Sequence, residues 1–184
     1  MVRGSFPGVG SSVARGSRQT WSALSSTSVK AAGDAGRRGF VRFWDSSAVI
    51  PLLIGQAASA RVDEWLEADP SVAVWTLTPV EISSAIRRLV REGRLDDAEA
   101  DAAEARADEL VATSHLVLDV DGVKAQARRL LRLHPMRAAD ALQLGAAVEW
   151  AHGRATGRFF CTLDAQLARA AAREGFRVLS AAAE

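Results

Sequence analysis

The sequence has few or none of the residues on which several classes of protein depend. It contains one cysteine, Cys161, among 184 residues, so a disulfide within the chain and a zinc site of several thiolates are both excluded. Tyrosine is absent, and only Lys30 and Lys124 are lysines among the 23 basic residues. No apolar run reaches the roughly 18 residues of a membrane-spanning helix, and none has the form of a signal peptide. We therefore expect a protein of a reducing compartment, the cytoplasm, without membrane attachment.

Residues 1–40 differ in composition from the rest of the chain. They hold six basic residues and one acid, a net charge of +5, so the other 144 residues carry −4. Gly and Ser are frequent there and no hydrophobic periodicity is sustained, which predicts a flexible, disordered extension. Three interpretations stay open: a basic arm that contacts nucleic acid, an organelle-type presequence, or sequence upstream of the true start codon. We expect a single folded domain over residues 41–184.

From Val41 onward, short apolar segments alternate with helical patterns. Strands are predicted at 41–44, 72–75, 115–118, 159–162 and 176–179. Helices are predicted from near Ala48, from Thr78 to the stop at Gly93, and over 95–113, 122–133, 138–151 and 165–174. Pro51 is expected within one turn of the start of the first helix, where its missing N–H costs little. The alternation is typical of an α/β domain, a parallel sheet with helices on both faces.

Four carboxylates lie where predicted strands end or predicted helices begin. Asp45 directly follows the first strand, and Asp164 follows the fourth. Glu81 lies in the first turn of the helix from Thr78, and Asp140 lies in the first turn of the helix that begins near Arg137. Because open parallel sheets bind ligands outside the carboxyl ends of their strands, we expect these acids to converge on one edge.

Each acid also has a purely structural explanation. Asp45 and Asp164 are suitable N-caps, Thr78 and Glu81 have the spacing of a capping box, and Asp140 complements a helix dipole. Capping does not explain why carboxylates stand among apolar residues, where an unpaired charge is costly, or how several could share one edge without repulsion. A divalent cation that prefers oxygen ligands, Mg²⁺ or Mn²⁺, would resolve both difficulties.

Four segments in order resemble the PIN domain, and the size of the chain is most similar to that of VapC-type toxins of bacterial toxin–antitoxin pairs. The segments are 43–50 (FWDSSAVI), 78–82 (TPVEI), 137–144 (RAADALQL) and 161–164 (CTLD) with the helix and strand that follow it. The resemblance covers residues 41–180. It implies a single PIN-like domain with a five-stranded parallel sheet of order 3-2-1-4-5, flanked by helices.

The same resemblance implies a metal-dependent endoribonuclease, a hydrolase that cleaves RNA phosphodiesters with metal-activated water. By this analogy Asp45 and Asp140 bind Mg²⁺ most directly, with Mn²⁺ as a substitute. Glu81 and Asp164 complete the catalytic acids and reach the metal through water or at a second position. The chain has Ala165-Gln166 where some members of the family carry a further acid, which weakens the expectation of a second tightly held metal.

Further roles follow from the resemblance and from position. The hydroxyls of Ser47 and Thr162 are expected to support the acids, and Arg137 is the candidate RNA contact because it stands less than one turn before the Asp140 helix. The implied partners are the RNA substrate, a small VapB-type antitoxin that blocks the site, and a second copy of the chain in a homodimer.

Two other classes of function compete with the nuclease. A receiver domain needs a lysine late in the sheet, yet none follows Lys124, and an aspartyl-phosphate hydrolase needs a second acid where Ser47 stands. These inventories exclude both kinds of phosphoryl-transfer domain. A PIN fold that binds RNA or protein without catalysis stays open as the alternative, although the presence of all four acids argues against it.

Overall fold

Residues 41–180, which the computed structural model describes, form five β-strands and seven α-helices. The predicted extension over 1–40 lies outside the described residues, as do residues 181–184. The strands are β1 (Arg42–Trp44), β2 (Val72–Trp75), β3 (His115–Val117), β4 (Phe159–Cys161) and β5 (Arg177–Leu179). The helices are α1 (Ser46–Leu53), α2 (Ser59–Ala68), α3 (Thr78–Arg91), α4 (Asp97–Thr113), α5 (Val120–Leu133), α6 (Ala138–Trp150) and α7 (Ala165–Arg173).

The five strands form one parallel sheet of order β3-β2-β1-β4-β5, which confirms the predicted topology. The central strand β1 pairs with β2 on one side and with β4 on the other. In this register Phe43 lies opposite both Ala73 and Phe160. The order reverses at β1, so the carboxyl ends of β1 and β4 open the crevice where parallel sheets bind ligands.

Two apolar cores lie on the two faces of the sheet because successive side chains of a strand point to opposite faces. Trp44 packs with α1–α4 on one face, and Phe43 packs with α5–α7 on the other; both are fully buried. The rings of Phe43 and Phe160 stack with their centroids 5.6 Å apart. Burying one such side chain contributes about 1.5–3 kcal/mol, so β1 is anchored from both sides and its end is held rigidly.

The first helix begins earlier than the sequence predicts. Asp45 caps α1, and its carboxylate accepts a hydrogen bond from the backbone N–H of Ser47, so the helix starts at Ser46. Pro51 is then the sixth helical residue and lies beyond the first turn. Its ring removes the N–H that would have bonded the carbonyl of Ser47, and the expectation that Pro51 costs little was wrong.

Helix α2 was not predicted from the sequence. Its buried side chains are Val62 and Leu66, with Trp65 packed against the same core, on an otherwise polar helix. Its N-cap Ala58 makes no side-chain capping bond. An apolar stripe this narrow, without a capping residue, gives little periodic signal in the sequence. Tertiary packing rather than local propensity therefore stabilises the helix. No helix among residues 41–180 is long and apolar enough to cross a membrane.

Candidate active site

Asp45 is the most deeply buried of the four predicted site carboxylates. Its backbone N–H donates to the carbonyl of Cys161 at 3.1 Å, so the sheet ladder extends to the residue after β1. The residue is 2% exposed. Its side chain accepts from the N–H of Ser47 and, at 3.0 Å, from the Ser47 hydroxyl. The capping role foreseen for Asp45 is real, but it does not account for the burial of a charged group.

The electrostatics of Asp45 show what that burial costs. Burial raises the pKa of the Asp45 carboxyl to about 6, because the charged form loses its hydration and is destabilised. Hydrogen bonds from Thr162 and Ser47 lower the pKa in part, and the negative charge of Glu81 raises it again. Asp45 is therefore a carboxylate at neutral pH, held beside a second acid in an environment that does not fully compensate its charge.

Ser47 and Thr162 join the ends of the two central strands through their hydroxyls. Their oxygens lie 3.3 Å apart. Ser47 Oγ accepts from the N–H of Leu163 at 2.8 Å, and Thr162 Oγ1 accepts from the N–H of Asp164 at 3.0 Å. Since both hydroxyls also contact Asp45, its carboxylate is fixed by the loops after β1 and β4 together.

Asp164 caps α7, and its carboxylate accepts from the N–H of Leu167 at 2.7 Å. The residue is exposed. The residues before it are buried or half-buried, as expected, and Leu163 packs against the core, yet the carboxylate of Asp164 itself is not enclosed among them. Water can solvate Asp164, so its charge alone does not call for a cation.

Glu81 projects from the first turn of α3 and is half-buried. The capping box proposed for it does not form: Leu77 is the N-cap, and Thr78 is the first residue of the helix. Thr78 is fully buried and its hydroxyl instead accepts from the side-chain amide of Gln143 at 3.3 Å. The same amide donates to Glu81 Oε2 at 2.7 Å.

Sequence reasoning missed Gln143. It is 2% exposed, and its Oε1 has no hydrogen-bond partner among the described residues. A polar residue three positions after Asp140 in an apolar helix was the available signal, because residues three apart share a helix face. Gln143 therefore lies on the Asp140 side of α6 and connects that helix to Glu81 on α3.

Asp140 lies in the first turn of α6 and is half-buried. Its Oδ2 accepts from the backbone N–H of Arg137 at 3.3 Å, so it also helps to close the helix N-terminus. Arg137 is the exposed N-cap of the same helix. Direct contacts thus connect Asp45 with the residues after β4, while Asp140 joins the site through the face it shares with Gln143.

The oxygen donors of the site meet the requirements of a hydrated divalent cation but not those of a metal held by protein ligands alone. Within residues 41–180, no three side chains of His, Cys, Asp and Glu lie close enough to hold a metal by themselves. Mg²⁺ does not need such a cage, since it keeps several waters and binds one or two carboxylates plus substrate phosphate. Asp45 has an incompletely compensated negative charge, and Oε1 of Gln143 is a buried oxygen without a partner among the described residues. The donor chemistry fits a hard cation that completes its shell with water or phosphate.

Solved structures share this architecture. FitAcB from Neisseria gonorrhoeae superposes with a TM-score of 0.53 at 16% identity, over 76% of this chain and 96% of that one. PAE2754 from Pyrobaculum aerophilum gives 0.51 at 20% identity, over 79% and 92%. FitAB bound to an IR36 DNA fragment gives 0.53 at 18% identity, over 76% and 94%. The fold is that of a PIN domain.

The PIN fold confirms the resemblance drawn from the four sequence segments, at the level of architecture. No protein-family model matches the chain, and a comparison with curated proteins finds no relative. At 16–20% identity the shared property is the fold alone. The ligand set of this PIN domain, its substrate and its cofactor therefore remain predictions.

Proposed function

We propose that this PIN-fold protein is a metal-dependent endoribonuclease and the toxic component of a VapBC-type toxin–antitoxin pair. The observation that carries the proposal is the carboxylate of Asp45. It is buried at the carboxyl end of the central strand, its pKa is raised to about 6, and the charge of Glu81 acts on it. Helix capping alone does not explain why Asp45 is buried, because an exposed Asp caps a helix equally well without the free-energy cost of burial.

Asp45 and Asp140 are the residues proposed to hold Mg²⁺, with Mn²⁺ as a substitute, and Glu81 and Asp164 are proposed to reach it through water. The exposure of Asp164 supports this outer position, since a solvated carboxylate readily acts through water. The metal would supply two things: charge stabilisation at the phosphate, and a water whose pKa is low enough for attack near neutral pH.

The protein's own residues position these groups. Ser47 and Thr162 fix the Asp45 carboxylate through hydrogen bonds, so no reorganisation is needed when the substrate binds. Gln143 holds Glu81 through a neutral donor, which orients the carboxylate without cancelling its charge. Arg137, exposed at the N-terminus of the Asp140 helix, is proposed to contact an RNA phosphate.

The toxin–antitoxin role rests on the PIN fold, shared with FitAcB and FitAB, and on the resemblance to VapC-type toxins. By the same resemblance the partners are a VapB-type antitoxin and a second copy of the chain. Coexpression with an antitoxin gene from the adjacent reading frame tests this role. Relief of growth inhibition and copurification of the two proteins would support this role. Cells that grow equally well with and without expression of the chain would contradict it.

A non-catalytic PIN scaffold is the second candidate. It is favoured by one observation: among residues 41–180 no three candidate ligands form a ready-made metal cluster, and Asp164 serves as an ordinary helix cap. Incubation of purified protein with long RNA, in Mn²⁺ and in chelator, separates the two. The nuclease predicts cleavage that requires Mn²⁺ and is lost in Asp45→Asn. RNA that stays intact with bound protein in both conditions would favour the scaffold.

A further inference from the structure

Basic residues gather at the edge of the sheet where the strands begin, opposite the acidic site. Arg158 directly precedes β4, and Arg177 is the first residue of β5. The N–H of Arg177 donates a hydrogen bond of 2.9 Å to the carbonyl of Arg158. Arg154 lies four residues before Arg158, in the turn that follows α6, and is exposed. This turn is compact because His152, Gly153 and Gly157 adopt positive φ angles there.

Aromatic rings hold two of these side chains in place. The guanidinium of Arg158 lies 4.7 Å from the ring centroid of Trp150, and that of Arg177 lies 4.7 Å from the ring centroid of Phe159. Stacking on a ring fixes the plane of a guanidinium and leaves its N–H groups free to bind an anion. These two charges are therefore positioned in advance rather than spread over many rotamers.

Helix α7 connects this basic edge to the acidic site. It begins directly after Asp164 and ends at Arg173, and Gly175 just beyond it lies against Ala155 in the basic turn. Arg169 and Arg173 are both exposed and lie four residues apart, so they share one face of the helix at a spacing of roughly 6 Å. Arg169 stands about 8 Å along the axis from Asp164.

Arg177 stacks on Phe159, which alternates with Phe160 and therefore lies on the opposite face of the sheet from α7. The other four arginines lie on the α7 side and are here called the arginine track: Arg154, Arg158, Arg169 and Arg173. None of them forms an ion pair with a carboxylate of residues 41–180. One acid close to the track is already engaged. Glu174, next to Arg173, accepts from Arg129 at 2.6 Å and from His134 at 2.7 Å.

We propose that the arginine track binds the phosphate backbone of single-stranded RNA that extends from the acidic site along α7 to the opposite edge of the sheet. This inference rests on the proposed ribonuclease function. The acidic site repels RNA phosphates, so affinity must come from cations beside it. Arginines that have no carboxylate partner, of which Arg154, Arg169 and Arg173 are exposed, are suited to bind a backbone, and they read charge rather than sequence.

The test measures binding of a labelled 20-nucleotide single-stranded RNA to the full chain by fluorescence anisotropy, in chelator so that no cleavage occurs. We expect Arg169→Ala/Arg173→Ala to weaken binding roughly tenfold and to reduce the slope of log K against log salt by about 1.4, since each lost contact to a single strand contributes about 0.7.

A matched control removes two exposed arginines of equal spacing from another helix. Arg128→Ala/Arg132→Ala on α5 should leave both the affinity and the salt slope as in the wild type. Because Arg158 also packs on the ring of Trp150, its alanine variant is expected to lose stability as well as charge. Arg158→Lys keeps the charge, and it should preserve most of the salt slope while thermal melts check the fold.

Two results would overturn the proposal. One is a track variant that binds the 20-nucleotide RNA as the wild type and the control do. The other is displacement of the RNA by a polyglutamate peptide at equal concentration, which would assign the surface to an acidic protein partner. Failure of the nuclease proposal looks different: the wild type would not cleave this RNA in Mn²⁺, while the effects of the track variants on binding would persist.

Discussion

The side-chain amide of Gln143 bonds Glu81 Oε2 at 2.7 Å and Thr78 Oγ1 at 3.3 Å. These contacts join α6 to α3, two helices that pack on opposite faces of the sheet. A neutral donor orients Glu81 here, whereas an arginine or lysine would have cancelled the charge that a cation site requires. Gln143 thus belongs to the framework that sets the direction of the acid.

Replacing Gln143 by Leu should lower RNA cleavage at least tenfold and reduce the free energy of unfolding by about 1–3 kcal/mol, because the half-buried Glu81 and the buried Thr78 lose their hydrogen-bond donor. Kinetic assays and chemical denaturation measure the two effects. Gln126→Leu, in a half-exposed glutamine of α5, serves as control and should change stability by less than about 0.5 kcal/mol. Full cleavage by the Gln143 variant would remove it from the site.

Asp45→Asn and Asp140→Asn should each abolish cleavage and growth inhibition while the fold stays intact. Asn can still accept the capping bonds made by either residue, so secondary structure should survive while the negative charge is lost. Circular dichroism and RNA cleavage at matched concentration check this. The control is Asp63→Asn, a half-exposed acid of α2 far from the strand ends. Toxicity retained in either site variant would contradict the assignment of that residue.

The raised pKa of Asp45 predicts a pH dependence of stability in chelator. The unfolded carboxyl titrates near 3.9 and the folded one at about 6, so between these values the folded state binds more protons. The free energy of unfolding therefore falls by about 3 kcal/mol as pH rises through this window. Asp45→Asn lacks this contribution, and its stability relative to wild type should rise from pH 4 to pH 7. A difference that stays constant with pH would show that Asp45 is not desolvated.

Metal should stabilise the folded protein. A cation that binds only the native state at 100 times its dissociation constant adds about 2.7 kcal/mol. Thermal melts of the wild type in excess Mn²⁺ and in chelator should differ accordingly, whereas Asp140→Asn should gain much less. In chelator this variant should be at least as stable as the wild type, because one of the mutually repelling charges is gone. If Mn²⁺ does not change the melting temperature of the wild type and Asp140→Asn is strongly destabilised in chelator, Asp140 serves only to stabilise its own helix.

The parts that the sequence alone predicted are those with a local cause. The alternation of apolar strands and helical stripes determines the α/β class, and an acid directly after a buried strand, such as Asp45, must lie at the carboxyl edge of a parallel sheet. Periodicity of 2 or 3.6 residues is a short-range property, so it can be read without knowing what packs against it. The order of the strands came from family resemblance, and the structure confirms it.

Tertiary structure decided the rest. The spacing of Thr78 and Glu81 suggests a capping box, yet Thr78 bonds Gln143, which is 65 residues away along the chain. The pattern also does not reveal that Asp164 is exposed while Asp45 is buried, although both follow strands and both cap helices. Burial and partnership depend on which elements meet in space, and a carboxylate's role follows from whether water or protein surrounds it. That property belongs to the packed molecule, because no local sequence pattern contains it.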